Sequence, residues 1–118
     1  MNPDEEPIML IKERGFINFI NILFVVLAEE SETEFNDFIK NKTPSEIAKL
    51  KINIQALKNK IDNWLDDGKK YRLELLKEEA VLFRMCASIS YCFLTKNKQT
   101  SLSRKRFIEH YHTYLKNK

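Results

Sequence analysis

Apolar residues recur along this chain at intervals of three and four, the spacing of one helix face. The clearest run is Ile47, Leu50, Ile54, Leu57, Ile61 and Trp64, with polar residues filling the positions between. Thr43-Pro44-Ser45-Glu46 stands before it, and supplies an N-cap threonine, a proline at the first helical position and a glutamate at the third. That is the reciprocal capping box, which satisfies two amide groups left over at a helix start. Asp66-Asp67-Gly68 closes the run, with Gly68 expected in the left-handed conformation of a helix C′ residue.

The same pattern predicts the other elements. Residues 1–7 form a polar lead, expected to be mobile. A first helix is predicted from about Ile8 to Glu30, apolar on most sides from Phe16 to Ala28 and carrying a polar stripe of Arg14, Asn18 and Asn21. Ser31-Glu32-Thr33-Glu34 reads as a second capping box, opening a short helix with Phe35, Phe38 and Ile39 on one side. After Gly68 a long helix is predicted from about Lys69 to Thr95. Its two adjacent stripes are Leu75, Leu82, Cys86, Ile89 and Phe93, then Leu76, Ala80, Phe83, Ala87, Ser90 and Leu94. Together they make a broad apolar face that needs partners on two sides. Arg84 falls on the remaining side with Lys77, Ser88 and Tyr91, which predicts an exposed or snorkelling cation. A polar loop follows, and Ser101 or Ser103 caps a last helix carrying Phe107, Ile108, Tyr111, Tyr114 and Leu115.

These elements sum to an all-α single domain over residues 1–118, a compact bundle of four main helices and one short one. The Thr43 and Lys69 helices form an antiparallel hairpin over residues 44–95. Composition supports this, because two glycines and three prolines are too few for a chain built on tight turns. Cys86 and Cys92, six apart on one helix, lie about 9 Å apart along its axis and so form no mutual disulfide. Both sit among apolar residues and are expected in the core, in a reducing, cytoplasmic setting. Lys12 and Arg14 ahead of the Phe16–Ala28 run raise the question of a secretion leader. The acidic start and the interrupting Asn18 and Asn21 favour a core helix instead, and the run is too short to span a bilayer.

Charge changes the picture only at the end of the chain. Net charge is +3, but residues 1–42 carry four basic and nine acidic groups, whereas residues 94–118 carry seven basic groups and a single acid, Glu109. Lys96, Lys98, Arg104, Lys105 and Arg106 cluster near the start of the last helix, with Tyr111 and Tyr114 as candidate stacking faces. Phosphate neutralisation by this cluster would give nucleic-acid affinity that falls with salt.

Candidate chemistry is sparse. Two glycines cannot build a phosphate loop, zinc spacings of Cys and His are absent, and no nucleophile is marked by a neighbouring base. His110 and His112 are two apart, which puts them about 200° around a helix and rules out joint ligation of one metal. No cofactor, metal or small-molecule substrate is implied. Arg104-Lys105-Arg106-Phe107-Ile108-Glu109-His110-Tyr111-His112 contains arginine, five residues and histidine in two registers, Arg104 to His110 and Arg106 to His112. This nine-residue stretch resembles the R-x(4–6)-H motif of the HEPN superfamily, small helical domains that include metal-independent ribonucleases. The resemblance implies an arginine stabilising the phosphate transition state and a histidine in acid–base work across a dimer.

Three readings are ordered by the features that support them. First stands a non-catalytic protein-interaction module, an adaptor, inhibitor, chaperone or immunity-type protein, expected as a homodimer through surplus apolar surface. Second is nucleic-acid binding by the basic C-terminal segment, and third the HEPN-like ribonuclease.

Overall fold

The computed structural model describes residues 6–97 and 101–116. Its element order is β1 (Ile8–Ile11), α1 (Arg14–Glu29), α2 (Glu32–Ile39), α3 (Pro44–Asp66), β2 (Arg72–Leu75), α4 (Lys77–Lys96) and α5 (Leu102–Tyr111), which runs on as a π-helical turn over His112–Lys116. The fold is an all-α bundle with one small antiparallel sheet.

Two helix starts move relative to the sequence expectation. The segment before Lys12 is not the first turns of α1 but β1, which pairs antiparallel with β2 so that Ile8 lies opposite Leu75 and Leu10 opposite Leu73. Ile8, Leu10 and Leu75 point into the core, and Met9 points out, the alternation that a half-covered strand requires. The Lys12 amide extends the ladder by donating to the Tyr71 carbonyl at 3.0 Å. The predicted Lys69 helix likewise begins at Lys77, after β2. There the Glu79 carboxylate accepts from the Leu76 amide at 3.4 Å and from the Lys60 ammonium at 2.7 Å, so one side chain supports the start of α4 and joins it to α3.

The connection from α3 to α4 is therefore a strand rather than a tight turn. Neither glycine adopts a positive φ, so Gly68 is not the left-handed C′ residue expected. Asp67 closes α3 instead. Its amide donates to the carbonyls of Asn63 and Trp64, and its Oδ1 accepts from the Lys69 amide at 2.9 Å. Extended backbone at Asp67 ends α3, and a turn at Gly68 and Lys69 leads the chain to β2. The Lys12 ammonium reaches back to donate to the Asp67 carbonyl and lies 5.4 Å over the Trp64 ring.

The Thr43 capping box forms as predicted. Thr43 Oγ1 accepts from the Glu46 amide at 3.2 Å, and Glu46 Oε1 accepts from the Thr43 amide at 3.0 Å. The Ser31 box does not form. Ser31 is fully buried, and its hydroxyl turns back to donate to the Leu27 carbonyl of α1 at 3.4 Å, completing the helix behind it rather than the one ahead. Ser101 precedes α5 without a side-chain cap bond.

The core sits between α1, α4 and α5. Phe19 and Phe107 stack with centroids 4.5 Å apart, and the Ser90 hydroxyl donates to the Leu23 carbonyl at 2.8 Å where α4 crosses α1 closely. The broad face predicted on α4 is used, with Ala80, Phe83, Cys86, Ala87, Ile89, Ser90 and Leu94 all buried. Arg84 is partly buried, its Nη1 donating to the Glu6 carbonyl at 2.8 Å. Cys86 is buried as expected, and desolvation pushes its thiol up to about 12. Cys92 is exposed, contrary to its expected place in the core, because the α4 register turns it to the outer side. Among the described residues, no helix is long and apolar enough to cross a membrane.

Candidate functional site

The α3 seam is consumed by the core only in its second half. Leu57, Ile61 and Trp64 are buried, whereas Ile47, Leu50 and Ile54 remain partly exposed. Where this first half of α3 stands off from α1 and α2, an open groove of about 190 Å³ forms. Phe24, Leu27 and Ala28 of α1, Phe35 of α2 and Ile54 of α3 line it, with Lys51, Gln55 and Lys58 along the α3 side. Lys58 pairs with Asp62 at 3.0 Å. Lys51 has no ion pair with any described residue. Helix α2, which borders the groove, has no buried residue. Its Phe38 is 43 % exposed, and the helix carries Glu32, Glu34 and Asp37 without a cation.

The predicted basic site is divided by the structure. Lys98 lies outside the described residues. Lys96 is exposed, 4.0 Å from the Glu34 carboxylate. Arg104 is engaged in a partly buried bidentate ion pair, its Nη1 donating to Glu30 Oε1 at 2.7 Å and its Nη2 to Glu30 Oε2. That hydrogen bond, reinforced by the guanidinium charge and opposed by partial desolvation, holds the Glu30 carboxyl below its ordinary value. Lys105 and Arg106 are exposed.

The tyrosines face inward. Tyr111 stacks on Tyr91 with centroids 4.2 Å apart, and Tyr114 packs against Phe16 at 4.7 Å and Phe19 at 5.6 Å. Burial, with the nearby Glu13 carboxylate second, raises the Tyr114 phenol above its ordinary value. The π-helical turn swings His112 to Tyr91, whose hydroxyl lies 2.9 Å from His112 Nε2. Neither arginine–histidine register is assembled into one site within the chain: Arg104 is held by Glu30 and His112 by Tyr91.

A different pair is brought together. Arg106 and His110, four apart on α5, line one pocket of about 70 Å³ with Ser103 and Phe107, closed on the α1 side by Gly15, Asn18 and Phe19. The sequence places Asn18 on a polar stripe and Ser103 at a helix start. Only the crossing of α1 and α5 puts them beside Arg106. Among the described residues, no group of three or more His, Cys, Asp or Glu side chains is placed to hold a metal ion.

Comparison with protein-family models, with curated proteins and with solved structures finds no match to this chain.

Proposed function

We propose that this chain is a non-catalytic protein-interaction module, in the manner of a small adaptor, inhibitor, chaperone or immunity-type protein, and that its first partner is a second copy of itself. The observation that carries the reading is the open apolar groove between α1, α2 and α3. Such grooves suit an amphipathic helix laid in lengthwise. Lys51 on its α3 side, in no ion pair with a described residue, asks for a carboxylate flanking the apolar residues of that helix. The exposed side of helix α2 meets the description, with Phe38 43 % exposed and Glu32 and Asp37 exposed on the same short helix. An isologous pair follows, in which α2 of each copy lies along the groove of the other.

The test is solution mass by size-exclusion chromatography with light scattering across a dilution series. Wild type is expected as a dimer that dissociates on dilution. Lys51→Glu is expected to weaken it about tenfold or more, the cost of a like-charge contact at an interface. Adding Asp37→Lys or Glu32→Lys to Lys51→Glu should restore the mass. A chain that stays monomeric at every concentration overturns self-association. A dimer indifferent to Phe38→Ala and Lys51→Glu places the interface elsewhere.

A further inference from the structure

We propose that the pocket between α1 and α5 is a phosphate-binding site, formed by Asn18, Ser103, Arg106 and His110. It is separate from the α1–α2–α3 groove and does not depend on it.

The lining brings four hydrogen-bond donors of different kinds to one small cavity: a carboxamide, a hydroxyl, a guanidinium and an imidazole. No carboxylate lines it. Arg106 makes no hydrogen bond or ion pair with any described residue, and neither do the side chains of Asn18 and Ser103. The contrast with Arg104, two residues earlier and held at both nitrogens by Glu30, is informative. The fold supplies a carboxylate for one arginine and leaves the other facing a cavity of donors. Ser103 also stands in the first turn of α5, which has no acidic residue, so the helix dipole favours an anion there.

Size narrows the ligand. At about 70 Å³ the cavity is well below the roughly 300–1,000 Å³ that encloses a whole organic ligand. It suits one compact oxyanion, with the remainder of the molecule outside. The floor is Phe19 and Phe107, a stacked and buried pair that holds the two helices in register. Gly15 leaves open the space in front of His110: a Cβ there would sit 3.5 Å from His110 Cε1 and 4.0 Å from the Tyr114 hydroxyl. Tyr111 stacks on Tyr91, Tyr114 meets Phe16 at a tilt and Phe19 edge-on, and neither lines this pocket, so recognition here rests on the phosphate. A planar guanidinium beside further hydrogen-bond donors is an arrangement that binds a phosphate through several charge-assisted bonds. Free phosphate and the terminal phosphate of a nucleic-acid strand present the same group.

The experiment is a two-dimensional amide NMR titration of the full chain with inorganic phosphate, then with one short RNA carrying or lacking a 5′-phosphate. Phosphate is expected to shift Gly15, Asn18, Ser103, Arg106 and His110 together. Arg106→Gln should weaken this by about tenfold or more, the effect of losing a charged donor. Lys105→Gln, one residue away and outside the pocket, should leave it nearly unchanged. Gly15→Ala adds a methyl where only ordinary contacts await it, so it keeps the fold while narrowing the pocket, and should also weaken binding. A phosphorylated strand that binds more tightly than both its unphosphorylated form and free phosphate identifies a strand end as the source. Equal occupancy by phosphate alone identifies a small phosphate compound. Absence of localised shifts with phosphate, or shifts unchanged in Arg106→Gln, overturns the site.

Discussion

At the scale of single residues, two arginines two positions apart have different fates because one meets a carboxylate and the other does not. Arg104 and Glu30 are each about a quarter exposed, with side-chain accessibilities of 23 % and 29 %, so solvent screens their attraction only in part. The pair ties the end of α1 to the start of α5 and is expected to contribute about 1 kcal/mol, the upper end for an ion pair in good geometry near the surface. Its pH dependence has a definite sign. The folded carboxyl titrates below the ordinary value of 4.5, so its contribution is fully present above that pH and is lost as pH falls through the lower folded value. A double-mutant cycle of Arg104→Ala and Glu30→Gln, followed by urea denaturation, should give this coupling at neutral pH and a progressively smaller one as pH falls below the ordinary carboxylate value. A coupling that persists in acid would mean the contact is packing and not charge.

At the scale of elements, the two predicted capping boxes separate a local signal from a tertiary one. Thr43 caps α3 at an exposed start where nothing competes for its hydroxyl. Ser31 has the same sequence signature but is buried at a helix–helix corner, and the Leu27 carbonyl takes its hydroxyl. Thr43→Ala should therefore cost about 1 kcal/mol of α3 helicity, seen as faster amide exchange over residues 47–54. Ser31→Ala should leave exchange at the start of α2 unchanged, since no cap bond exists to lose. Equal effects of the two substitutions would refute the distinction. The contrast also explains what was legible in the sequence. Helices α3 and α4 were readable because their stripes repeat over several turns, and each turn adds to the signal. The strands were not, because each has four residues, β1 lies only a few residues ahead of the apolar run of α1, and their pairing joins segments 61 to 67 positions apart, from Ile11 with Arg72 to Ile8 with Leu75. Two inward positions per strand cannot be told from one helical turn.

At the scale of the whole molecule, the bundle divides into a packed body and a helix that only half belongs to it. The body is α1, α4 and α5 closed at one end by the sheet. Helix α3 joins it through Leu57, Ile61 and Trp64 and leaves its first half along the groove. Both candidate sites lie where helices of this body meet a neighbour, which is why neither could be read as a motif. The groove exists because a regular seam outlasts its partner, and the pocket exists because Asn18 and Arg106, 88 residues apart, meet across a helix crossing. The division predicts unequal costs for the same chemical change. Leu10 is fully buried where β1 meets the core, so Leu10→Ala should cost about 2–5 kcal/mol, a large share of the roughly 5–15 kcal/mol that stabilises a domain. Leu50 lies on the partly exposed half of the α3 seam, and Leu50→Ala should cost well below that range because water already reaches the site. Urea denaturation of the two variants at a concentration where the chain is monomeric makes the comparison. Similar losses would mean that the first half of α3 is as much a part of the core as the strand that closes it.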